Sequence, residues 1–139
     1  MINDLSLRKL NSLNLLPRQY FLPLGWALFI LFATLASTSV LVSLNLSDLF
    51  SYDKPIHAFL FAMQAWLLVR ARLYSPMVHY KRNIISLCLL SLIYGVLIEI
   101  LQEAITSSRM FDMYDAFADG VGCMITGFFC LINPVKSRD

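Results

Sequence analysis

The sequence predicts an all-α membrane protein, four transmembrane helices in a small bundle with both termini cytoplasmic, and three observations carry that reading. The 139-residue chain is 58% hydrophobic and only 14% charged, with a mean hydropathy of +0.67, well outside the composition of water-soluble domains. Crossing a bilayer takes roughly 20 apolar residues per helix, and four such stretches can be drawn. Lysines and arginines gather on alternate sides of those stretches, as they do in multi-pass membrane proteins. The four stretches consume nearly the whole chain, so residues 1–139 are read as one transmembrane domain.

An N-terminal tail, residues 1–21, has leucines at Leu5, Leu7, Leu10, Leu13, Leu15 and Leu16 among polar residues, the pattern of a short amphipathic helix lying on the membrane surface. The first span, residues 22–44 (LPLGWALFILFATLASTSVLVSL), holds no ionisable residue. Basic residues precede it and Ala36 and Ser37 are small, but the apolar run continues well past them; this is a retained anchor rather than a cleaved signal. The second span, 56–73, ends in Arg70 and Arg72, whose long stems carry charge out to the interface. The third, 84–105, and the fourth, 113–132, have acids near one end only. Cys88, Cys123 and Cys130 lie inside spans, without CxxC spacing, and read as packing residues.

Arg8, Lys9 and Arg18 precede the first span, Arg70, Arg72, Lys81 and Arg82 surround the second connection, and Lys136 and Arg138 follow the fourth span. The alternate set holds only Lys54 and Arg109, so residues 45–55 and 106–112 are expected outside. Acids behave oppositely: Asp48, Asp53, Glu99, Glu103, Asp112, Asp115 and Asp119 all map to the outer half. A net charge of +2 hides this polarity. Because the basic loops are what membrane orientation demands, nothing points to nucleic acid.

The outer acids are the feature that composition leaves unexplained. An Asp at the centre of a span costs about 2.5–3.5 kcal/mol on the insertion scale, so these groups should face inward or a wet cavity. At about 1.5 Å per residue, Glu99 and Asp119 lie at similar depth on antiparallel helices. Gln102 and Glu103 fall three and four residues after Glu99, and Asp112, Asp115 and Asp119 share a helical face, while Met113, Phe117 and Met124 point elsewhere. In DKPIH, Asp53 suits a helix cap, Pro55 the first turn, and His57 the outer side of that turn. Small residues in the fourth span (Ala116 with Gly120, Ala118 with Gly122, Cys123 with Gly127) let a neighbouring helix come close. Arg109, Lys54 and His57 are the groups available to offset the carboxylates, with Arg109 the preferred partner.

Three stretches, DKPIHAFLF (53–61), YGVLIEILQ (94–102) and RMFDMYDAFADGVG (109–122), resemble the VanZ-like membrane protein family. The matching residues are Asp53, Lys54, His57, Glu99, Gln102, Arg109, Asp115 and Gly122. The family usually has asparagine where this chain has Asp119, which adds a negative charge and raises the need for a proton or cation. The resemblance implies a small multi-helix protein of the bacterial cytoplasmic membrane, in a family associated with resistance to the glycopeptide teicoplanin.

Two functional readings follow from the residues. In the favoured one, an outward-facing cavity binds an envelope lipid headgroup, a cell-wall precursor or an amphiphilic drug: Arg109 and Lys54 hold phosphate or carboxylate, while Glu99 and the aspartates hold an amine or sugar hydroxyls. The ligand-binding set is Asp53, Lys54, His57, Glu99, Gln102, Arg109, Asp115 and Asp119. In the alternative, a hydrolase or transferase acts on a lipid-linked substrate, with His57 as general acid or base, Glu99 and Asp115 as its partners or as metal ligands, and Arg109 stabilising developing negative charge. A divalent metal is compatible with this composition but not favoured, because no HExxH spacing marks one and His79 maps to the other side. A through-going ion path is not visible, since the cytoplasmic half lacks matching acids. The bland reading is that the cluster only caps helices and bridges them. Trp26, Trp66 and the phenylalanines read as packing and interface groups, Tyr94 and Gln64 as hydrogen-bonding groups within spans, and Ser107 and Ser108 as loop residues. The small-residue seam is compatible with a homo-oligomer.

Overall fold

The computed structural model describes residues 17–35, 53–73, 79–105 and 111–133. A 3-10 turn, Arg18–Tyr20, leads into α1 (Phe21–Leu35), followed by α2 (Asp53–Arg72), α3 (Tyr80–Ile105) and α4 (Met113–Ile132); the described residues contain no strand. The expected second, third and fourth spans correspond to α2, α3 and α4, and α2 and α3 begin a turn earlier than apolarity alone indicated. Those extra turns are polar, DKP and YKRN. Pro55 and Pro23 each sit third in a helix, where the missing N–H would have had no partner within the helix. The amphipathic tail up to residue 16 and the stretch 36–44 of the first expected span lie outside the described residues.

Side-chain bonds fix the topology. Tyr94 donates to the Ala27 carbonyl and Gln102 to the Thr34 carbonyl, so α1 and α3 run parallel. Lys54 reaches Asp115, and Thr126 donates to the Ala62 carbonyl, so α2 and α4 run parallel to each other. Trp26 Nε1 donates to the Leu60 carbonyl, while Val69 packs beside Ile84 and Cys130. The helices therefore run up, down, up, down. The starts of α2 and α4 meet the ends of α1 and α3 at one end of the bundle.

That arrangement explains the uneven charge. Helix starts carry partial positive charge, so acids are favoured there; Asp112 caps α4 by accepting the Tyr114 N–H at 2.7 Å, and Asp115 sits in the first turn. At the opposite end Arg70 and Arg72 occupy the last turn of α2, where cations are favoured. The Arg70 guanidinium lies 4.9 Å from the centroid of the Trp66 ring.

The core between them is apolar. Ile30, Leu60, Phe61, Ala65, Ile98 and Cys123 form one cluster, and Val69, Leu73, Ile84 and Cys130 a second towards the basic end. The helix α2 packs against all three of the others. Its approach to α4 depends on Gly122, whose Cα faces the Ala58 carbonyl: a Cβ there would collide with the Ala58 oxygen and lie 2.9 Å from both Ala58 C and Ala62 N. The small residues of α4 thus admit a neighbour, as the sequence indicated, while Met113, Phe117 and Met124 point outward.

Three helical stretches, Arg18–Leu35, Tyr80–Ile105 and Met113–Ile132, are long and apolar enough to cross a membrane. Large apolar side chains also cover the exterior, including Phe32, Ile93, Leu97, Phe117, Ile125 and Phe128, a surface that water tolerates poorly and lipid does not penalise. By composition α2 is not among the three. It carries His57 and Gln64 inward and charges at both ends, which lowers its hydropathy although it is the most enclosed helix.

Candidate functional site

At the acidic end, three helices deliver four ionisable side chains into the protein interior. His57 lies one turn into α2, Glu99 under two turns from the end of α3, and Asp115 and Asp119 one turn apart on α4. Each is at most 4% exposed. His57 Nδ1 is hydrogen-bonded to Asp119 Oδ1 at 3.0 Å and lies 3.8 Å from Glu99 Oε1, the latter beyond direct hydrogen-bond reach.

Lys54, a turn before His57, closes the outer edge. Its Nζ donates to Asp115 Oδ1 at 3.3 Å and to Asp112 Oδ2 at 3.5 Å, and it lies 5.8 Å from the centroid of the Tyr114 ring. The Lys54 side chain is half exposed, whereas that of Asp115 is buried. Asp112 is held below its ordinary range, chiefly by the backbone N–H of Tyr114. The site therefore grades from a wet ion pair at the rim to dry carboxylates within.

The deep carboxylates are incompletely satisfied: Glu99 Oε1 and Asp119 Oδ2 are buried without a hydrogen-bond partner. Buried polar atoms nearly always have one, and an unpaired acceptor in a low-dielectric interior is costly. Asp119 fits only because position 95 on α3 is glycine. A Cβ there would stand 2.5 Å from Asp119 Oδ2 and 3.1 Å from its Cβ and Cγ. Gly95 contributes as much to placing the carboxylate as any polar residue does. Its sequence signal was a glycine inside an otherwise apolar helix.

Of the residues singled out from sequence, His57, Glu99, Asp115 and Asp119 converge and Lys54 stands at the edge. Gln102 is directed away, donating to the Thr34 carbonyl at 2.7 Å and so tying the last turn of α1 to α3. Glu103 is exposed. Asp53 opens α2 at its first helical position, and its side chain, like Arg109, Ser107 and Ser108, lies outside the described residues. The pairing preferred for Arg109 falls there too. His79 precedes α3 at the basic end, far from His57. Tyr94 hydrogen-bonds the α1 backbone at 2.6 Å, and the Gln64 Oε1 is buried without a partner. Comparison with protein-family models, with curated proteins and with solved structures found no match.

Proposed function

We propose that this chain is a four-span protein of a bacterial cytoplasmic membrane whose acidic end faces outward and binds the polar head of an envelope lipid, a cell-wall precursor or an amphiphilic drug. One observation carries this reading: four buried ionisable groups from three helices meet with two acceptor oxygens unpartnered. Intramembrane ionisable groups are costly and mark functional sites by default. An amine or hydroxyl of a headgroup would supply the donors that Glu99 and Asp119 lack, while the half-exposed Lys54 suits a phosphate or carboxylate at the rim. The orientation is supported by Arg18, Arg70, Arg72, Lys81 and Arg82 at the opposite end. For α2 as the fourth span, its 20 residues reach about 30 Å, the thickness of the hydrocarbon. The resemblance to VanZ-like proteins, with its association with glycopeptide resistance, agrees with an envelope ligand.

The test is binding of fluorescent envelope lipids to the full chain in nanodiscs. Lys54→Ala should weaken anionic headgroups selectively, and Glu99→Gln should weaken amine-bearing ones. Binding by both variants at wild-type strength would overturn the reading in favour of a purely structural cluster. A second reading, a hydrolase or transferase on a lipid-linked substrate, is favoured by the 3.0 Å His57–Asp119 pair, because a carboxylate that orients an imidazole is the usual support of a general base. Release of product that disappears in His57→Gln would select it.

A further inference from the structure

We infer that His57, Glu99 and Asp115 together hold one divalent transition-metal ion, of the Zn²⁺ or Mn²⁺ class, and that this ion is what the polar head of the ligand meets. This deepens the binding-site reading and rests on it.

The geometry is that of a donor set slightly wider than an ion would draw it. One ligand atom from each of the three side chains lies within 4.8 Å of the other two, and all three residues are buried. Around an ion with bonds of about 2.0–2.2 Å, neighbouring ligand atoms stand about 3–3.7 Å apart, so the donors need to close by about 1 Å at most. The set is one imidazole and two carboxylates. Mixed nitrogen and oxygen donors suit Zn²⁺ and Mn²⁺, whereas Mg²⁺ and Ca²⁺ prefer oxygen alone.

Independent of this proximity, Glu99 Oε1 is buried with no hydrogen-bond partner and stands 3.8 Å from the imidazole. Too far for a hydrogen bond, that spacing is right for two ligands of one ion. Asp119 Oδ1 lies 3.0 Å from His57 Nδ1, so when that nitrogen binds the ion Asp119 gives up the ring hydrogen bond and stands beside the ion as a further carboxylate donor. Lys54 engages one oxygen of Asp115, Oδ1, and leaves the other for the ion. Three protein ligands leave a coordination position open, as in sites that bind or activate a ligand rather than merely brace a fold. A phosphate or hydroxyl oxygen of a headgroup would take it. The sequence offered these three donors without a diagnostic spacing, because they come from three helices.

The full chain in nanodiscs, stripped with a chelator, is titrated with Zn²⁺ and separately with Mn²⁺ by calorimetry, with bound metal counted by mass spectrometry. One ion per chain is expected, with affinity reduced by more than about 100-fold in Glu99→Gln and in Asp115→Asn, and unchanged in the exposed control Glu103→Gln. Should Glu99→Gln fail to fold, Co²⁺ loaded into the wild-type chain gives a readout without substitution: visible d–d absorption that Zn²⁺ displaces. No stoichiometric ion with either metal, or wild-type stoichiometry and affinity in both ligand variants, overturns the inference. Lipid binding measured alongside separates the two readings: headgroup binding that survives chelation removes the metal and leaves the binding site, while a tightly held ion without headgroup binding does the reverse.

Discussion

Replacing Gly122 with alanine tests the closest helix contact in the bundle. The added methyl would collide with the Ala58 carbonyl oxygen and stand 2.9 Å from Ala58 C and Ala62 N. These are backbone atoms of a helix and cannot rotate away. Carbon contacts settle at about 3.5 Å or more, so the 2.9 Å contacts alone require α2 and α4 to part by about 0.6 Å, and the closer Ala58 oxygen requires more. Overpacking of this kind costs about 1–3 kcal/mol. The same separation weakens the 2.8 Å bond from Thr126 to the Ala62 carbonyl, worth about 0.6 kcal/mol on average within membranes and up to about 1.7. The expected loss is about 2–4 kcal/mol. His57 adjoins Ala58 and Asp119 lies three residues before Gly122, so their 3.0 Å hydrogen bond would stretch beyond the reach of about 3.5 Å. Unfolding in mixed SDS micelles, followed through Trp26 and Trp66 fluorescence, measures the stability change, and imidazole ¹⁵N shifts report the lost hydrogen bond. Gly25→Ala is the control, since nothing lies within 4 Å of its Cβ position. If the two variants unfold within about 0.5 kcal/mol of each other, the reasoning about helix proximity is wrong.

Tyr94→Phe removes the donor to the Ala27 carbonyl and should cost about 0.6–1.7 kcal/mol in the same unfolding assay, without altering ligand binding. Asp112→Ala removes the cap of α4 and should cost about 0.5–2 kcal/mol. Because Asp112 is held below its ordinary range by the Tyr114 N–H, its contribution is present in full above the ordinary aspartate range and is lost as pH falls through its own lowered midpoint; wild type and variant should converge in thermal unfolding only in acid. Asp119→Asn keeps an acceptor for His57 and the fit against Gly95. It should leave unfolding within about 1 kcal/mol yet change the hydrogen bond at His57 Nδ1, read by ¹⁵N NMR; an unaltered imidazole would show that the Asp119 charge does not govern the ring.

The helices were legible because lipid-spanning segments announce themselves by length and apolarity. The expected bounds 84–105 and 113–132 lie close to those of α3 and α4. Polar first turns, as at Tyr80–Asn83, escape an apolarity criterion. The cluster was legible in part because equal depth on antiparallel helices follows from the rise per residue alone; this brought Glu99 beside Asp119. Depth does not fix azimuth. Gln102 shares a broad face with Glu99, yet a small rotation about α3 sends it to the Thr34 carbonyl. Gly95 was not singled out because its importance lies in a neighbour's volume, which no local pattern records.

The order of the helices along the chain bears on biogenesis. His57 and Glu99 leave the ribosome on α2 and α3, and Asp119, the partner of His57, follows on α4, the last of the described helices. Until α4 docks, a histidine and a glutamate must wait beside lipid, water or the insertion machinery. Chains truncated before residue 113 would lack Asp115 and Asp119, and with them the hydrogen-bond partner of His57. The cluster is whole only once the last described helix has docked.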